Sequence, residues 1–254
     1  MRTPRRWSTA VTAALLLGTG SCEKPAPAAP APKPASPPAT VPTTSARGKV
    51  TGTVRYEGAT PRMTRINTAS DPACEGAASA EPAIAVHDGL LENVLVRIKG
   101  PVAGEPAPKP QGPVVLDQKA CAYVPRVQGA LAGQAIEVHN SDPTLHGVRV
   151  LQGPDSVLQE VQPPQGPPVK GEVPRAAEVL RVKCDVHPWM LAWIVVSPSA
   201  HFAVTDAAGH FALEGLPPGT YTVEAWHESL GTRSAEVKVA ADGATELSFT
   251  FSAG

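Results

Sequence analysis

Charge is sparse in this 254-residue chain and nearly cancels: 22 Lys and Arg stand against 23 Asp and Glu, for a net charge of −1. Such a balance builds no strong field, so neither nucleic acid nor an anionic lipid surface is favoured as an electrostatic partner. Aromatic residues reach only 4%, and no HExxH peptidase signature occurs. The apolar run Ala10–Leu17 is too short to cross a bilayer, which takes about 20 residues. Abundant instead are 29 prolines and 22 glycines. That density of chain punctuation suits short strands and turns and excludes long helices as the main element, so an all-β fold is expected.

The first 22 residues, MRTPRRWSTAVTAALLLGTGSC, join a basic start (Arg2, Arg5, Arg6) to the apolar run and to small residues before Cys22, as in an export signal. The end of this segment resembles the bacterial lipoprotein pattern, in which the thiol, here Cys22, is lipidated; Thr19 departs from it, where that pattern prefers Leu. Plain secretion is the alternative, and the residues flanking Arg5-Arg6 fit twin-arginine export poorly. Residues 23–47 form a Pro/Ala-rich tract that cannot bury a core and reads as an extended tether. A lipid-anchored protein of the bacterial cell envelope, on its periplasmic side or outer surface, is the expectation.

Residues 111–199 alternate between strands and turns. Ile136, Val138 and Asn140 share one strand parity, as do His146, Val148 and Val150, and Leu180, Val182 and Cys184. His146 therefore opens a strand, and Cys184 closes one, on faces that can point between two sheets. After Cys184 comes CDVHPWM, which spaces a thiol, an imidazole and a thioether three residues apart (Cys184, His187, Met190). A thiolate, two imidazoles and a weak thioether make a blue-copper ligand set, and His146 is the second imidazole. Zinc is disfavoured, because the loop offers one thiolate and neither a second Cys nor a carboxylate at ligand spacing.

The order of a His just after Asn140-Ser141-Asp142, then C-x-x-H-x-x-M before an apolar strand, resembles the cupredoxins, with a loop most like that of amicyanin. The resemblance implies a Greek-key sandwich and one mononuclear copper held by His146, Cys184, His187 and, axially, Met190. It also implies that Pro188 and Trp189, beside His187, form an apolar patch where a periplasmic redox protein docks. Core filling is the alternative for Trp189. Gly147 stands where the family more often has Asn. His87, His139, His201, His210 and His227 have no partner at convincing spacing. If Cys22 carries lipid and Cys184 carries metal, Cys74 and Cys121 remain as a disulfide pair; free thiols and a Cys121–Cys184 bridge are the alternatives.

From residue 200 to 254, TDAAGHF followed by LPPGTY resembles the carboxypeptidase regulatory-like, or transthyretin-like, β sandwich, which implies no catalytic residues. GKVTGTVRYEG resembles the first strand of the same sandwich. Residues 48–110 are thus either shared with it, leaving the copper domain inserted or packed against it, or they extend the cupredoxin sheet. The function expected is a single-electron carrier rather than an enzyme. Copper sequestration or delivery, and an adhesion or scaffold role with a vestigial site, are the alternatives.

Overall fold

The structure, a computed structural model, describes residues 46–59, 65–75, 77 and 83–253. The export signal, Cys22 and nearly all of the Pro/Ala tract lie outside the described residues. Within them the regular structure is strand throughout, save one 3-10 turn at Pro72–Cys74.

The first group of strands is β1 (Gly48–Glu57), β2 (Val86–His87), β3 (Leu90–Leu91) and β4 (Leu95–Ile98). Next come β5 (Val114–Lys119), β6 (Ala122–Val124), β7 (Val127–Leu131), β8 (Ala135–Asn140), β9 (His146–Gln152), β10 (Asp155–Gln162), β11 (Val169–Glu172), β12 (Val179–Cys184) and β13 (Leu191–Ser197). The last group is β14 (Phe202–Val204), β15 (His210–Leu216), β16 (Gly219–His227), β17 (Gly231–Val239), β18 (Ala244–Glu246) and β19 (Phe249–Ser252).

Pairing sorts these strands into two sandwiches. In one, the sheet β10-β9-β12-β13-β7 faces the sheet β11-β8-β5-β6. Their inward residues, among them Leu116, Ile136, Val138, Val150, Leu180, Val182 and Ile194, form one apolar core. Burial alternates along β8 and β12 with the parity that the sequence carries, because successive side chains of a strand point to opposite faces. Asn140, His146 and Cys184 are consequently buried at one end of this core.

The other sandwich is built from both ends of the chain. β1 lies antiparallel to β15 and β3 and parallel to β18 and β19, while β4 pairs with β14 and β16. None of β1 to β4 pairs with β5 to β13, so the first sandwich is inserted between β4 and β14. Gly52 makes the dense packing around β1 possible: a Cβ there would lie 1.5 Å from the Leu247 carbonyl oxygen, where the chain passes from β18 to β19.

A small apolar cluster of Leu95, Val127 and Val195, flanked by Trp193, Phe202 and Trp226, joins the two sandwiches. Beside it Arg126 forms a buried two-pronged pair with Glu228, at 2.5 and 3.0 Å, and the Trp193 indole N–H donates to the same carboxylate at 2.8 Å. A planar guanidinium matches a carboxylate in this way, and the third donor satisfies the remaining acceptor capacity.

Candidate metal centre

His146 begins β9 and Cys184 ends the adjacent β12, two antiparallel neighbours in register at Cys184 and Val148. This pairing brings together side chains that stand far apart in sequence. The loop after Cys184 then folds back sharply: the Met190 N–H donates to the His187 carbonyl at 3.0 Å, and the Cys184 N–H to the Met190 carbonyl at 3.3 Å. His187 is thereby turned toward Cys184. The Nδ1 atoms of His146 and His187 each lie 3.7 Å from the Cys184 Sγ and 3.0 Å from each other. Met190 is buried in the same core as Cys184.

Both imidazoles are oriented from behind. His146 Nε2 faces Asp142 Oδ2 at 3.0 Å, and His187 Nε2 faces Asp71 Oδ2 at 3.0 Å. An ionised carboxylate can only accept, so each Nε2 carries the proton and each Nδ1 presents its lone pair. Two lone pairs 3.0 Å apart, next to a thiol sulfur, call for a cation between them. The dimensions agree: a triangle with these edges has its centre about 2.0 Å from each corner, against metal–nitrogen and metal–sulfur bonds of about 2.0–2.3 Å for zinc. Soft sulfur with two imidazoles is a donor set suited to copper, so the residues present fit that ion.

The sulfur has its own partners. The backbone N–H groups of Gly147 and His187 both donate to Cys184 Sγ at 3.3 Å, which fixes the position of the sulfur. A Cβ on Gly147 would meet the Asp185 Cβ at 3.2 Å, so the bare glycine lets the two strands approach.

The carboxylates are held as firmly as the imidazoles. Asp142 accepts from the N–H groups of Ala120 and Cys121, at 2.7 and 3.0 Å. Those two residues adopt left-handed conformations (φ 53° and 52°) that cost non-glycine residues energy and persist here because Asp142 ties them down. Asn140 accepts from the Asp142 N–H and donates to the Thr144 and Pro163 carbonyls, which locks the turn before His146. The Thr144 hydroxyl, at 2.6 Å, and the Ala73 N–H hold the Asp71 carboxyl below the usual carboxylate range. Burial lowers the His146 pKa against the opposing pull of Asp142.

Cys74 and Cys121 form a disulfide, leaving Cys184 as the free thiol among the described residues. Beside Pro188 and Trp189 the His187 imidazole itself is only 1% exposed. The turn carrying Asp71 and Cys74 covers it, with Cys74 Sγ 3.7 Å from Nε2. Pro188 is exposed, but Trp189 packs partly into the core and donates its indole N–H to the Cys121 carbonyl at 3.0 Å. Asp71, Thr144 and Asp142 were not singled out by sequence reasoning as partners of the ligand residues. Asp142, four residues before His146, carries a short-range signal; Asp71, 116 residues from His187, carries none.

His227 is buried too, at 1% exposure, and lies in the other sandwich. Its Nδ1 accepts the N–H groups of Ser229 and Leu230, and burial pushes its pKa down to about 4.

Comparison with known proteins gives two separate results. The model of the carboxypeptidase regulatory-like domain matches residues 191–252, a span that begins in β13 of the inserted sandwich and runs through the C-terminal strands. Similar solved structures include amicyanin from Paracoccus versutus (Thiobacillus versutus), 19% identical, covering 40% of this chain and 96% of that one at a TM-score of 0.30. A Cu(I) amicyanin variant is 17% identical, covering 41% and 99% at 0.29. No curated protein matches by sequence. The described residues are all-β, residues 191–252 match the carboxypeptidase regulatory-like domain, and amicyanins are among the structural neighbours of the chain.

Proposed function

We propose that the protein binds one copper ion, which His146, Cys184 and His187 would hold with Met190 as a fourth, weaker ligand, and carries single electrons. The observation that carries this reading is the convergence of three buried donor atoms, two of them imidazole nitrogens freed as acceptors by carboxylates behind them. Bound copper would supply a one-electron couple between Cu(I) and Cu(II). The chain's own residues do the rest. Asp142 and Asp71 set the imidazole tautomers, Gly147 and His187 N–H groups fix the position of the sulfur, and the β9–β12 pairing holds the set at fixed spacing. With Met190 as the fourth ligand, the donor set would be made entirely by the protein and would leave no position for a substrate, which favours electron transfer over catalysis.

In this reading the chain is exported, anchored through lipid on Cys22 and exchanges electrons with a periplasmic redox protein. The test is addition of Cu(II) to the purified protein: an intense visible thiolate-to-copper band is expected at one copper per chain and is expected to vanish in Cys184→Ser. Its absence from the unaltered protein, or its survival in that variant, refutes the copper reading.

A second reading, copper retention or delivery without electron relay, is favoured by the covered edge of His187. Fast electron self-exchange between oxidised and reduced protein supports the carrier. Slow self-exchange with ready passage of copper to a second protein supports delivery.

A further inference from the structure

Asp71 belongs to neither strand system that builds the site. It sits in the connection from β1 to β2, within the chain of the flanking sandwich, yet its carboxylate reaches the Nε2 of His187. Three structures hold it there. Its Oδ1 caps the 3-10 turn by accepting from the Ala73 N–H at 2.9 Å, its Oδ2 accepts from the Thr144 hydroxyl, and the turn ends at Cys74, bonded to Cys121. On the far side of the disulfide, the Cys121 N–H donates to Asp142, the carboxylate behind His146. The disulfide therefore ties together the two backbone segments whose hydrogen bonds hold the two carboxylates.

From this we infer that Asp71 is a positioning residue for His187 and that its disulfide-bound turn is a cap closing the metal site. The role rests on the copper reading only for the identity of the ion; the orientation of His187 belongs to the metal-free chain as well. A carboxylate that accepts from Nε2–H leaves Nδ1 as the ligating atom, and without it the ring is free to take the other tautomer. The cap also makes metal exchange depend on displacing the turn, since His187 has no exposed edge of its own.

Two measurements on the full chain test this. In metal-free protein labelled with 15N-histidine, His187 is expected to be held with its proton on Nε2. Asp71→Ala should give a mixture of tautomers, while Asp71→Asn, which keeps a side-chain carbonyl acceptor, should largely restore the original. An unchanged tautomer in Asp71→Ala overturns the positioning role, whatever the protein does with copper.

In copper-loaded protein, transfer of Cu(I) to a chelating dye should be about 10–100-fold faster for Asp71→Ala and for the double variant Cys74→Ser with Cys121→Ser, with the visible band shifted. Should the double variant fail to fold, Thr144→Val keeps the disulfide and removes one support of Asp71; a smaller acceleration in the same direction is expected. Rates equal to those of the unaltered protein in all folded variants overturn the cap. Absence of a copper band in the unaltered protein refutes the copper reading instead, and leaves the tautomer result to judge Asp71.

Discussion

His146 and His187 in the inserted sandwich and His227 in the flanking one are buried to nearly the same degree, yet their rings are used in opposite ways. The first two turn Nδ1 toward one cysteine sulfur and Nε2 toward carboxylates. His227 turns Nδ1 to backbone N–H groups in the bend between β16 and β17, near the Phe251 ring, with no titratable partner on either nitrogen. Burial of an imidazole is thus no sign of a site. A site needs several buried imidazoles whose free lone pairs converge, which requires acceptors behind them and a soft donor between them. The flanking sandwich supplies neither around His227.

The sharpest way to break this contrast is to remove one histidine from each sandwich. His146→Ala should weaken copper binding by more than about 100-fold and remove the visible band, because it deletes a donor rather than the support of one. His227→Gln should leave one copper per chain. Equal losses in a copper titration would show that the two buried imidazoles are not different in kind.

The sandwiches are also expected to depend on one another through a buried ion pair. Glu228→Ala leaves Arg126 buried without its partner and removes the acceptor of the Trp193 indole, so unfolding in urea should show a loss of about 3–5 kcal/mol. A loss below about 1 kcal/mol would mean that the ion pair adds little to the apolar cluster of Leu95, Val127 and Val195 beside it.

Acid should act through His227 with a definite sign. Its folded pKa, about 4, lies below the ordinary value of 6.5, so above pH 6.5 both folded and unfolded states are neutral and the full stability is present. As pH falls from 6.5 toward 4, the unfolded chain binds a proton that the folded chain refuses, and about 2–3 kcal/mol is lost. His227→Gln should flatten that part of the acid limb in metal-free protein, measured as urea midpoints against pH. His146, also lowered by burial, contributes a slope of the same sign, which the comparison of the two proteins subtracts.

The smallest effect is expected at Gly147. Alanine there would press on the Asp185 Cβ and lengthen the N–H contact to Cys184 Sγ, at a cost of about 1 kcal/mol and with a shift, not a loss, of the copper band. Since the flanking sandwich has no corresponding contact to a metal donor, a band unmoved by Gly147→Ala would remove the glycine from the description of the site.

The loop from Cys184 to Met190 was legible in the chain because a tight loop keeps its residues close in sequence. Cys184, His187 and Met190 are spaced three apart, and the alternation in β8 and β12 set which of their side chains face the interior. Trp189 illustrates the limit of that legibility. Its indole N–H reaches a carbonyl of Cys121, and nothing in the loop itself foretells which segment it meets. Asp71 is the stronger example, since it acts on a residue more than a hundred positions away.

What the sequence determined by itself was strand identity, strand facing and the three-residue spacing of Cys184, His187 and Met190, because each follows from side chains a few residues apart. The tertiary structure decided that β1 to β4 join the C-terminal strands, that the disulfide-bound turn covers His187, and that Arg126 meets Glu228 across the junction. These are long-range matters: which segment packs on which face depends on the closure of whole sheets over shared cores, and local periodicity carries no record of that choice.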